Sequence, residues 1–248
     1  MTTFFAHWGT DDTRGYFDDQ GDSILWKAAM ACALPFDPLA IKEIDIILPN
    51  PLKEGSLLLA SDTFYYSPKN PLETLQEYAA AYSFAEYRVM STCLKSFRTF
   101  GQYKAPCLTP FFALCPLEGG ERSIWINPCR ITHVEEHDGL TLAHLASGGA
   151  FVLPLQRRSL IKRLVLTCLA YATLRREFLY FKTRGKRPSD YLAFENYPFS
   201  RLLSKRLLLE SFSMPLGEFS KRYDTALLLH AYEQLEIEAP TGESANLI

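Results

Sequence analysis

The sequence predicts an α+β fold: an antiparallel β-meander core packed on a long buried helix, with additional N- and C-terminal helices. Three observations carry this. From Phe111 to Leu155, short apolar runs alternate with turn residues, the pattern of strands joined by hairpins. From about Gln156 to Lys182 the pattern turns helical around Leu164–Leu174, a stretch without one charged residue, which belongs inside a molecule rather than on its surface. Across 248 residues, 48% are hydrophobic and 22% charged, enough to enclose such a helix and too apolar for a disordered chain.

Taken in order, residues 1–42 form an acidic N-terminal extension. A short helix is expected from Ser23 to Leu34, capped at Asp22 and stopped by Pro35. Ile44–Leu48, Ser56–Ala60 and Phe64–Tyr66 read as short strands, the first two parted by Pro49-Asn50-Pro51. Pro71 opens a helix running from Leu72 towards Met90. Arg88 to Lys104 interleaves basic and aromatic residues, and Gly101 marks it as a loop.

Five strands follow, at Phe111–Cys115, Ser123–Asn127, Arg130–Glu136, Leu140–Ala146 and Ala150–Leu155. Glu118-Gly119-Gly120, Asn127-Pro128, Asp138-Gly139 and Ser147-Gly148-Gly149 punctuate them, and Asp-Gly is a hairpin signal. The long helix then runs to Lys182. Arg201–Phe212 and Leu216–Leu235 read as further helices, and residues 239–248 as a disordered acidic tail. The expected organisation is therefore an extension over 1–42, a central domain over 43–200 with a helical insertion at about 72–90, and a helical extension over 201–248.

The formal net charge is −2, but its distribution is uneven. Residues 1–50 carry eight acids and three bases, whereas 151–206 carry thirteen bases and three acids. A local excess of this size attracts polyanions whatever the total. The six cysteines are scattered with no C-x-x-C pair, the usage of free thiols in a reducing compartment. Met1-Thr2-Thr3-Phe4 lacks a secretion signal, and Leu164–Leu174 would span only roughly 16 Å as a helix, about half a bilayer core. A cytoplasmic, nucleoid-associated location and no membrane contact are expected.

Chemistry is thinly represented. His133-Val134-Glu135-Glu136-His137 fits H-x-x-E-H, which binds zinc when both histidines share a helical face. In a β-patterned region they would lie roughly 13 Å apart, too far to share an ion. Cys129 and His144 near this string match no standard structural zinc spacing. Cys115 and Cys129 sit in apolar context and read as inert buried thiols rather than nucleophiles. With no G-x-S-x-G, P-loop or strand-linked G-x-G-x-x-G, neither an enzyme class nor a metal or cofactor is indicated.

A series of motifs points elsewhere. Ser91-Thr92-Cys93-Leu94-Lys95-Ser96-Phe97-Arg98-Thr99-Phe100-Gly101 is followed by Phe111-Phe112-Ala113-Leu114-Cys115-Pro116-Leu117. Ser123-Ile124-Trp125-Ile126-Asn127 and Ile131-Thr132-His133-Val134 come next, then Gly149, Leu153-Pro154-Leu155 and the helix end Ala172-Thr173-Leu174-Arg175-Arg176-Glu177-Phe178. In this order and spacing, the series resembles the ComK family of bacterial competence transcription factors. A weaker similarity covers Ile44 to about Tyr66. The helix at 72–90, the acidic lead and the C-terminal helices stand as additions.

The resemblance implies a transcriptional activator of competence (DNA-uptake) genes that binds AT-rich boxes, largely through the minor groove, as a homo-oligomer. The residues expected to meet DNA are Lys95, Arg98, Lys104, Arg157, Arg158, Lys162, Arg175, Arg184, Lys186 and Arg187. Family members carry a Phe-Met-Leu-Tyr-Pro stretch captured by the MecA proteolytic adaptor. Phe194-Glu195-Asn196-Tyr197-Pro198 keeps its ends, so Phe194, Tyr197 and Pro198 are the corresponding adaptor-binding positions. The competing reading is a ComK-like protein-interaction module that no longer binds DNA. A metal-dependent hydrolase built on His133 and His137 is a distant third.

Overall fold

The computed structural model describes residues 15–18, 21, 23–82, 86–100, 104–117, 122–178 and 185–238. Arg184, the Asp22 cap, the glycines at 101, 119 and 120, the far end of the long helix and the tail at 239–248 lie outside the described residues.

The fold is α+β, with a seven-stranded mixed sheet, a three-stranded sheet and six α-helices. The large sheet runs β1 (Leu34–Pro35), β4 (Thr63–Ser67), β3 (Ser56–Ala60), β2 (Ile46–Pro49), β7 (Trp125–Ile126), β6 (Ala113–Pro116), β5 (Cys107–Leu108), antiparallel except where β1 joins β4. The small sheet is the hairpin series β8 (Ile131–His137), β9 (Leu140–Leu145), β10 (Ala150–Leu153). The run of five predicted strands thus divides. Only its last three form a meander, while β6 and β7 join β2 through Ile46↔Ile126 and Cys115↔Ile126.

Turn chemistry explains the hairpins. Asp138 and Gly139 take φ of 49° and 78° between the paired His137 and Leu140, the two left-handed residues that a tight hairpin of the right twist requires. Ser61 and Asp62 do the same between β3 and β4, at φ of 46° and 68°, without a glycine.

Helix α1 (Ile24–Cys32) is capped by Ser23, whose side chain accepts from the Trp26 N–H. The predicted 72–90 helix is two helices: α2 (Pro71–Ala81), with an Asn70/Glu73 capping box, and α3 (Tyr87–Lys95). They serve different cores. Leu75 and Tyr78 of α2 pack with Ile44 and Phe112, whereas Val89, Met90 and Cys93 of α3 pack with Phe219 and Ala226. The basic segment read as a loop is therefore helical through Lys95, followed by a 3₁₀ turn at Arg98–Phe100.

Helix α4 (Arg157–Phe178) is the buried helix, with Leu160, Leu164, Cys168 and Leu169 fully enclosed. The segment expected as one helix over 201–212 is instead α5 (Pro198–Ser204) and a 3₁₀ turn at Leu207–Leu209. Pro198 sits in the first turn of α5, where its missing N–H costs nothing, so the helix starts and ends earlier. Helix α6 (Glu218–Glu238) closes the described chain.

The terminal regions are knitted into the centre. Phe17 bridges to Phe151 and stacks on it at 4.9 Å, and the Trp26 indole donates to the Asp18 carbonyl at 2.8 Å. Phe17, Leu25, Trp26, Phe199, Leu203 and Leu209 share the principal core with α4. No helix among the described residues is long and apolar enough to cross a membrane.

Candidate nucleic-acid interface

Helix α4 begins directly after β10, with the Leu160 N–H donating to the Gln156 carbonyl at 3.0 Å. Leu160 and Leu164 are pulled into the core, so Arg157, Arg158 and Lys162 are turned outward and exposed. The first turn holds no acid. Cations at a helix N-terminus oppose the helix dipole, costing roughly 0.3–1 kcal/mol each, so helix stability does not account for them.

A second element faces this end. Phe199, Ser200 and Leu203 bury one side of α5, leaving Lys205 and Arg206 exposed beyond its last turn. The following 3₁₀ turn is anchored by Leu209, which is fully buried, while Leu207 stands 80% and Leu208 41% exposed. The Leu209 N–H closes the turn on the Arg206 carbonyl at 2.8 Å.

Between the two lies an open groove of ≈ 1010 Å³, lined by Arg157, Arg158, Lys162, Lys205 and Arg206, with Glu136 as its one acid and Leu207 and Leu208 on its wall. None of the five cationic side chains makes a hydrogen bond or ion pair with another described residue. This is a concentrated positive field with its donors unspent, suited to phosphate oxygens, with apolar surface beside them.

The other described residues expected to meet DNA do not line this groove. About eighteen residues separate Arg157 from Arg175, which on a helix is roughly 27 Å. At that far end Arg175 is half-buried, with its guanidinium 5.3 Å from the Tyr171 ring centroid. Its neighbour Arg176 lies 3.9 Å over Phe212, pairs with Glu177 at 2.7 Å and donates to the Met214 and Pro215 carbonyls.

Lys95 and Arg98 are exposed on the α3 side, flanking Phe97, whose ring is covered by Arg222 at 4.1 Å. The Lys104 ammonium donates to Ser123 Oγ at 3.2 Å. Lys186 and Arg187 are exposed, and the Arg187 N–H is held by Asp190 at 3.0 Å. Of the nine expected residues that are described, the groove takes three.

Lys205, Arg206, Leu207 and Leu208 were missed by the sequence reading, which ran a helix through them. The signal was present: two cations followed by three consecutive leucines cannot all bury their apolar side on one helix face. As for the adaptor positions, Phe194 is half-buried against the principal core, the Tyr197 hydroxyl donates to Glu195 at 2.6 Å, and Pro198 opens α5.

The histidine string lies on β8, with His133 and His137 both exposed. His144 pairs with Glu135 at 3.0 Å and His133 with the same carboxylate at 3.7 Å, while His137 turns to Asp138 at 3.3 Å. The hydrogen bond from His144, above all, holds the Glu135 carboxyl below its ordinary range. Among the described residues no group of three or more His, Cys, Asp or Glu is placed to hold a metal ion. Cys129 is buried in the turn before β8 and faces Cys168. Burial pushes the Cys115 thiol up to about 11, which leaves it protonated and unreactive near neutrality.

Searches against protein-family models, curated proteins and solved structures each returned no match to this chain.

Proposed function

We propose that this chain is a ComK-like transcriptional regulator that binds AT-rich DNA, with the groove at the start of α4 as its principal contact. One observation carries the reading: five cations from two separate elements line one groove with no partner among the described residues. Charged side chains that serve the fold are paired, as Arg130 and Arg176 are. Charges left unpaired and gathered together suit an external polyanion.

The exposed leucines refine the choice of groove. Minor-groove binders combine Arg and Lys, drawn to narrow AT tracts, with apolar wedges that enter between base steps. Leu207, adjoining Arg206 on an anchored turn, supplies such a wedge. Activation of competence genes is what the resemblance of the motif series to that family implies.

Fluorescence anisotropy with AT-rich and GC-rich duplexes across salt concentration tests the reading. Full engagement of the groove gives a slope of about −4 to −5 for log K against log salt, since each neutralised phosphate contributes about −0.9. Affinity should favour the AT-rich duplex. Absence of binding at low salt would overturn the proposal and leave the protein-interaction reading in its place.

A further inference from the structure

We infer that the recess between the N-terminal segment and the two sheets binds a small amphipathic carboxylate, its apolar body inside and its head met by Arg122. The recess has a volume of ≈ 290 Å³ and is walled by Phe17, Trp26, Leu48, Ile124 and Val152. Arg122 and Asp18 are its charged residues, and Pro49 and Pro51 complete the lining. An apolar hollow with few polar groups at its edge is the usual form of a small-molecule site.

The walls are fixed by the fold. Phe17 is tied to β10 twice: its N–H donates to the Ala150 carbonyl and its carbonyl accepts from the Val152 N–H, each at 2.8 Å. The Trp26 ring stands edge-on to Phe17 with centres 5.5 Å apart, and its N–H is spent on the Asp18 carbonyl. Gly21 takes a φ of 73°, and a side-chain carbon there would collide with the Pro51 ring, so the segment is seated closely against this turn. A hollow formed in advance needs little ordering when a ligand enters.

Arg122 decides the head group. Its side chain is exposed and donates through Nη2 to the Asn50 and Pro51 carbonyls at 2.7 and 3.4 Å. These neutral acceptors position the guanidinium, and no carboxylate among the described residues pairs with it. The Asp18 Oδ1 accepts from the Gly21 N–H at 3.2 Å, and beyond Arg122 lies a cleft that holds Glu54 and Glu73. One cation with acids on either flank suits a monoanion and disfavours a phosphate dianion. At roughly 30 Å³ for each non-hydrogen atom, the space a water takes in the liquid, the recess holds about ten such atoms. That is the size of a medium-chain fatty acid. None of these residues lines the groove at the start of α4, so the site is independent of the DNA reading.

Equilibrium dialysis of radiolabelled octanoate against the full chain without DNA tests this. One site should fill with a dissociation constant on the order of 0.1–1 mM, the range expected of so small a ligand. Labelled 1-octanol, which lacks the charge, should bind about tenfold more weakly. Arg122→Gln, an exposed change, should weaken octanoate by about tenfold and leave 1-octanol unmoved. Val152→Phe fills the recess and should weaken both ligands by about tenfold or more, with an unchanged circular dichroism spectrum. No saturable uptake of octanoate below roughly 10 mM overturns the proposal, as does octanoate binding that Arg122→Gln leaves unchanged.

Discussion

The two ends of α4 carry the same residue type to opposite purposes. At its start, Arg157, Arg158 and Lys162 are exposed and without a partner among the described residues, where the dipole disfavours positive charge. At its finish, where cations are favoured, Arg176 is 11% exposed and bound to a carboxylate, two carbonyls and an aromatic ring. One end gives up stability to keep its charge available, and the other uses its charge as part of the core. A count of basic residues cannot separate them. What separates them is whether neighbouring elements bring acceptors: the 212–215 segment does so at the finish, whereas α5 brings more cations to the start.

The largest expected effect is on the engaged end. Arg176→Ala leaves Glu177, 1% exposed, with the Ser220 N–H at 2.8 Å as its one hydrogen-bond donor among the described residues. Breaking a buried pair from one side should cost about 3–5 kcal/mol in chemical denaturation. Arg176→Lys should recover only part of this, because a point charge lacks the planar fork that reaches several acceptors. A loss below about 1 kcal/mol, the range of exposed pairs, would erase the contrast between the two ends.

At the unengaged end, Arg157→Ala combined with Arg158→Ala should lower the salt slope of DNA binding by about 2 and weaken all sequences alike. The same double change should raise unfolding stability, by roughly 0.3–1 kcal/mol for each charge removed from the dipole. Weaker binding with a firmer fold is the signature of residues kept for a ligand. An unchanged slope would mean that this groove faces away from DNA.

How much of this was legible in the sequence depended on whether the cause was local. The β8–β9 turn was legible because left-handed backbone at two successive positions selects residues such as Asp138-Gly139. Its counterpart at Ser61-Asp62 escaped because neither residue is glycine. Helix α4 was legible because an uncharged run has few other places to go. The split into two sheets was not, since β7 is defined by pairing Ile126 with Ile46, eighty residues earlier, which leaves no local trace. Half of the groove was visible as charge on α4. Lys205 and Arg206 were visible as charge too, but their approach to Arg157 is set by Leu203 and Leu209 being drawn into the core, a tertiary event.

A subtler test concerns Leu207. Leu207→Ala should leave the salt slope unchanged, since no charge is lost, while reducing both the bend measured by end-to-end energy transfer on a labelled duplex and the preference for AT-rich sequence. The expected loss of discrimination is about tenfold, corresponding to about 1.4 kcal/mol. A native complex with straight DNA would remove the wedge and leave the phosphate contacts standing.

The smallest effect lies in a third arrangement, one cation shared among too many acids. Arg130 pairs with Asp45 and Glu195, each at 3.0 Å, and Glu43 stands nearby, accepting from Asn127 Nδ2 at 3.0 Å. Burial raises the Glu43 and Asp45 carboxyls above their ordinary range, and Arg130 only partly offsets it. A raised carboxyl in the folded protein means that folding takes up protons. The associated stability is complete below the unfolded value, about 4, and is lost as pH rises through the folded one. Glu43→Gln keeps an acceptor for Asn127 and removes one competitor for Arg130. Its denaturation curves should coincide with those of the native protein in acid and lie above them towards neutrality. Curves that run parallel across that window would show that Glu43 is solvated as well in the fold as outside it, and that Arg130 satisfies all three carboxylates.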